Sequence, residues 1–162
     1  MAYHGLDVYL NDHLAGATAG VNLAQMATEE HQGDEHGAFF AEIASEIKAD
    51  YDVLVKLMAD LGTEESASKA ALAEVGSKLA APKFVKGDDD ALNAFVTLET
   101  LSIGVEGKVC MWKALATVTD GNPALAALDF DDLIARGEGQ RSRIEDMRLQ
   151  VAPSALAHTA PV

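Results

Sequence analysis

The chain has 162 residues, enough for one domain with one full hydrophobic core. Apolar residues make up 49% and charged residues 23%, an ordinary balance for a globular protein, and no apolar run reaches the roughly 18 residues of a membrane span. Lys and Arg number 12 against 26 Asp and Glu, and the formal charge of -14 argues against nucleic acid and anionic membranes as partners. A single cysteine excludes an internal disulfide, which with the acidic first thirty residues points to a cytoplasmic protein with no signal peptide.

Helical periodicity runs through the chain. The first helix is expected over about Leu6 to Glu30, with Leu6, Leu10, Leu14, Ala17, Val21 and Ala24 on one face. Gly33 and Asp34 then end one helix and start the next, over about Glu35 to Leu61, whose stripe is His36, Phe40, Ile43, Ile47, Leu54, Leu57 and Leu61. Gly62 stops it. Residues 63–89 are too long for a hairpin turn and contain a short alanine-rich helix at about Ser66 to Leu79. A third long helix follows from about Asp89 to Val118, opened by three aspartates that suit the positive end of the helix dipole. Asp120-Gly121-Asn122-Pro123 forms a tight connection, and a last helix spans about Leu128 to Val151, ended by Pro153. Residues 1–153 thus form one domain, and 154–162 a mobile C-terminal tail. Short, long and short connections select an all-α, ferritin-like four-helix bundle, with one long crossover, containing a short helix, between the second and third helices.

Polar residues on apolar faces are the candidate site. At 100° per residue, Asp50 falls inside the stripe of the second helix and His13 inside that of the first. Glu99 and Glu106, one heptad apart, share a face with Phe95, Ile103 and Cys110, and Lys113 lies a further heptad along. Arg141 and Arg148 fall among Leu133, Ile144 and Val151. Buried charges must be neutralised, titrate or bind something. One expectation is an internal ion-pair network of Asp50, Glu99 and Glu106 with Arg141, Arg148 and Lys113, with no cofactor. The competing one is an iron or manganese site from His13, Asp50, Glu99 and Glu106. The full dimetal motif requires Glu-x-x-His on two helices, and here Glu46, Glu99, Glu106 and Glu138 are followed three residues on by Ala49, Ser102, Val109 and Arg141. The arginines favour the network.

Two further features concern packing. Gly16 and Gly20, and likewise Gly104 and Gly107, read as close helix-helix approaches, since glycine inside a helix costs about 1 kcal/mol relative to alanine. A cavity beside these four glycines is the alternative, and would make the protein a small-molecule binder. The apolar arc of the third helix covers about 220° at 100° per residue, wider than a surface helix needs. Either the crossover covers the surplus or two copies pack together there; a homodimer through this helix, anchored by Trp112, is expected.

The stretch Tyr9-Leu10-Asn11-Asp12-His13-Leu14-Ala15-Gly16-Ala17, followed by Gly20, resembles the opening helix of a group of small uncharacterised bacterial proteins with a ferritin-like bundle. Leu98-Glu99-Thr100-Leu101, leading to Gly104-Val105-Glu106-Gly107-Lys108 and Trp112, resembles their third helix. The resemblance implies the fold and a bacterial cytoplasmic origin, with His13, Glu99 and Glu106 as matching positions and no catalytic role. The missing Glu-x-x-His pairs set the chain apart from ferritins and rubrerythrins. The expected protein is a non-enzymatic structural, binding or stress-associated bundle.

Overall fold

The computed structural model describes residues 4–63 and 90–157, and all their regular structure is helical. Four long helices, α1 (His4–Glu30), α2 (Gly37–Leu61), α3 (Asp90–Ala116) and α5 (Phe130–Leu156), are joined by one short helix, α4 (Pro123–Ala126). The expected helix at Ser66 to Leu79 and the end of the tail, residues 158–162, lie outside the described residues.

Local chemistry sets the ends. Gly62 adopts φ +67°, and its N–H and that of Thr63 bond back to Ala59 and Met58 carbonyls, a left-handed stop that a side chain would strain. The Thr63 hydroxyl donates to Asp7 Oδ1 at 2.9 Å, tying the end of α2 to the start of α1. At the α1–α2 turn His31 is buried, stacked on Phe40 at 4.8 Å and bonded to Asp34 at 2.6 Å. Asn122 caps α4, and Asp129 caps α5 by accepting from Asp132 N at 3.0 Å. Pro153 does not end the last helix. It lies inside the final turn, where the helix continues to Leu156 and Ala157 N still bonds to Pro153 O. The proline removes one hydrogen bond close to a free end, where little remains to be broken.

Helices α1 and α2 pack as one hairpin and α3 and α5 as another, and the two meet chiefly along α1 and α3. This position explains the wide apolar arc of α3. Leu98, Leu101, Val105, Val109, Met111, Trp112 and Leu115 are all buried, because α3 has α1 on one side and α5 on another. Trp112, expected as an anchor for a second copy, has no exposed surface and sits among Leu10, Leu54, Leu57 and Phe130. A residue enclosed by its own chain cannot anchor a partner, so the anchor role expected of Trp112 is corrected. Of the same arc, Ile103 and Cys110 are exposed.

The core falls into two clusters. One joins Ala24, Phe40, Ile43, Phe95, Leu98 and Ile144; the other joins Leu10, Leu54, Met58, Trp112, Leu125 and Phe130. The boundary between them crosses every long helix near its middle: between Leu10 and Val21, Ile47 and Leu54, Val105 and Met111, and Leu133 and Ile144.

Candidate functional site: a polar knot beside a glycine-lined cavity

At that boundary stands Asp50, with 1% of its side chain exposed. Arg136 reaches its Oδ1 through Nε at 2.8 Å and through Nη2. Its Oδ2 accepts from Gln140 Nε2 at 3.0 Å and from Lys108 Nζ. Lys108 Nζ also donates to Gln140 Oε1, closing a ring of three side chains from α2, α3 and α5. Four donors fill the roughly four acceptor positions of one carboxylate, so Asp50 is fully satisfied. The knot holds one anion and two cations. Burial pushes the Lys108 ammonium below the usual lysine range, opposed by Asp50 and reinforced by Arg136.

Close approach of α3 and α5 makes the ring possible. A Cβ on Gly137 would lie 2.6 Å from Val109 Cγ2, so packing against α3 requires glycine at this position between Arg136 and Gln140. Outside the knot, Arg143 bridges α5 to Glu42 at 2.7 Å and Glu46 at 2.6 Å on α2.

On the other side of Asp50 and Lys108 lies a cavity of about 480 Å³ between α1 and α3, floored by α2. Its walls include Gly16 and Gly20 of α1 and Gly104 and Gly107 of α3, with Ala17, Leu23, Ile47, Leu54, Leu101 and Met111. A Cβ placed on any of those four glycines meets no heavy atom within 4 Å among the described residues. Among the described residues the expected close helix contact is therefore corrected: the missing side chains leave open space there, with Gly16 and Gly104 exposed. The volume falls within the roughly 300–1,000 Å³ of small-molecule sites.

Few polar groups face this space. His13 contributes its imidazole, packed edge-on to Tyr9 at 4.5 Å. Burial pushes its pKa below the usual histidine range, while Asp12 at the exposed rim pulls the other way. Lys108 and Asp50 form one end. Trp112 is part of the wall, and its Nε1–H, fully buried, has no hydrogen-bond acceptor among the described residues.

The remaining expected site residues lie elsewhere. Glu99 (53% exposed) pairs with Arg148 at 3.2 Å, Glu106 with Arg141 at 3.1 Å (both 51% exposed), and Lys113 with Glu138 at 2.7 Å. These carboxylates and cations do meet, but along the solvent-facing seam of α3 and α5, and their expected burial is corrected. Arg148 is the most covered, lying over the Phe95 ring and bonded to Glu145. The cause is one residue of register, or about 100° of helix rotation. Arg141 neighbours the buried Gln140, and Glu99 the buried Leu98.

His13, Asp50, Glu99 and Glu106 do not come together as one set of metal ligands. Asp50 spends its acceptor positions on the knot, Glu99 and Glu106 face outward, and His13 lies in the cavity apart from both. Among the described residues no group of three or more His, Cys, Asp or Glu side chains converges. Comparison with protein-family models, curated proteins and solved structures finds no match to the chain. Among the described residues no helix is long and apolar enough to cross a membrane.

Proposed function

We propose that the protein is a non-enzymatic binding bundle that holds a small, mainly apolar molecule in the cavity between α1 and α3. One observation carries this reading: among the described residues, four glycines in mid-helix line open space rather than a helix contact. Each lowers helix stability by about 0.5–1 kcal/mol relative to alanine, and no packing among the described residues offsets it. Room for a ligand does. The polar knot supports the same reading, since it braces α2, α3 and α5 where the apolar core is interrupted and so fixes one wall and the floor of the cavity. For the architecture we propose the ferritin-like, single-crossover bundle; two short-connected hairpins joined by one long connection support it, as does the resemblance around His13, Glu99 and Glu106.

The test is titration with a neutral naphthylamine dye whose fluorescence rises in apolar surroundings, on the intact protein and on Gly104→Leu. The substitution grows a side chain into the cavity from a position with free space. One-to-one saturable binding that the variant loses, with its helicity intact, is the expected result. Equal binding by both proteins, or no saturable binding by either, contradicts the proposal.

A further inference from the structure

On the reading of the cavity as a ligand site, we infer that an uncharged ligand and a proton on His13 exclude one another: the cavity fills while the imidazole is neutral, and protonation of His13 in mild acid releases the ligand. The placement of His13 carries this. Gly16 and Gly20 stand three and seven residues further along α1, so the imidazole and both glycines share one face of the helix, and all three line the cavity. A molecule lying over the glycines therefore lies against the ring. Tyr9 packs edge-on to the imidazole at 4.5 Å, and the ring nitrogens have no hydrogen-bond partner among the described residues. The half-buried ring is otherwise left to solvent.

The two forms of the ring respond differently to a mainly apolar ligand. A neutral imidazole loses water at modest cost and still offers one donor and one acceptor. An imidazolium loses water at high cost unless a counter-charge replaces it. The surrounding groups do not supply one. α1 packs chiefly against α2, which brings Asp50 and Tyr51 to the cavity, and against α3, which brings Lys108. Asp50 and Lys108 hold each other in the knot, with Arg136 also on Asp50. Cys110 of α3 acts on Tyr9, whose phenol burial keeps above the usual tyrosine range and so protonated. On α1 itself Asp12 is exposed, and adjacent helical residues point about 100° apart, so its carboxylate pulls on His13 without closing an ion pair. Burial already holds the imidazole below the usual histidine range, the direction in which a ligand extends it. Histidine ordinarily titrates between pH 5 and 8, so it is the cavity-lining group whose charge mild acid switches on. Occupancy and protonation are then reciprocal: the factor by which a ligand weakens the proton is the factor by which the proton weakens the ligand.

The experiment titrates the His13 imidazole by NMR, with and without a saturating amount of the neutral naphthylamine dye, and measures the dye's affinity by fluorescence at about pH 7.5 and about pH 5. His13→Gln, or His13→Asn should glutamine unfold the chain, identifies the signal among the five histidines. Circular dichroism checks that the helices stay formed at each pH. The expected titration midpoint is at least about half a pH unit lower in the complex, with dye affinity falling in acid towards the roughly threefold loss that such a displacement requires. In the variant the affinity should no longer change with pH, whatever its value at pH 7.5. A midpoint that the dye leaves in place or raises overturns the inference, as does a pH dependence that the variant retains; saturable binding at pH 7.5 then leaves the cavity reading standing. No saturable binding at pH 7.5 overturns both.

Discussion

Replacing glycines by alanine separates open space from tight packing by the sign of the effect. At Gly16, Gly20, Gly104 and Gly107 a new Cβ has no neighbour within 4 Å among the described residues, so alanine acts on helix propensity alone. Each change should stabilise by about 0.5–1 kcal/mol, chiefly through lost freedom in the unfolded chain. A Gly16→Ala/Gly20→Ala pair then gains about 1–2 kcal/mol, or roughly 3–6 °C in Tm for a chain of this size. Gly137→Ala is the internal control. Its Cβ would lie 2.6 Å from Val109 Cγ2, a buried, β-branched side chain with little room to turn. Overpacking of that kind costs about 1–3 kcal/mol, which outweighs the propensity gain. Thermal and urea unfolding by circular dichroism reads both. Destabilisation by the Gly16/Gly20 pair, or a neutral Gly137→Ala, would refute the assignment of which glycines face space and which face a helix.

Further outcomes follow from the ion pairs and the imidazole. Asp50→Ala removes the only anion from a buried group of two cations, and the expected loss is about 3 kcal/mol in urea unfolding, the low end for a broken buried pair because Arg136 is a third exposed; a loss under about 1 kcal/mol would mean the knot is not a tie between helices. Arg141→Met, by contrast, breaks a half-exposed pair with Glu106 and should cost less than about 1 kcal/mol. For His13, the folded-state pKa lies below the ordinary value of 6.5, so between the two values the unfolded chain holds a proton that the folded chain lacks. Stability should therefore decline as pH falls below about 6.5 and level off below the folded value, and His13→Gln should flatten that part of the profile; an unchanged slope in the variant contradicts the placement of His13 in a desolvated wall.

The four long helices and the short turns between described residues were legible because stripes, caps and breakers are local: Gly62 and the 31–36 turn act on their own neighbours. Asp50 was legible for the same reason, as one charge in a narrow stripe. Its partners were not. The apolar residues of α3 spread so widely that no direction dominates, and a wheel drawn through Glu99 and Glu106 fits almost as well as the true one through Leu98, Leu101, Val105, Lys108 and Trp112. On α5, Gln140 lies in the buried row with Leu133, Gly137 and Ile144, but an amide carries no charge, and a search for ionisable groups passes over it. Lys108 and Arg136 could have been found by drawing that row first. The cavity stood only as an alternative, since a glycine pair reads equally as closeness or as space until the facing helix is placed. Pro153 shows the opposite limit, a strong breaker signal overruled because it falls where the helix is about to end.

The most direct test of a ligand cavity uses its own wall. Trp112 is the chain's single tryptophan, and energy transfer from its emission to a bound naphthylamine dye reports occupancy at contact range. Quenching of Trp112 that saturates at one dye per chain, and that disappears in Gly104→Leu while the protein stays folded, is the predicted result. Quenching that never saturates, or that persists unchanged in Gly104→Leu, would show that the dye sits elsewhere and that the glycines do not hold open a binding site.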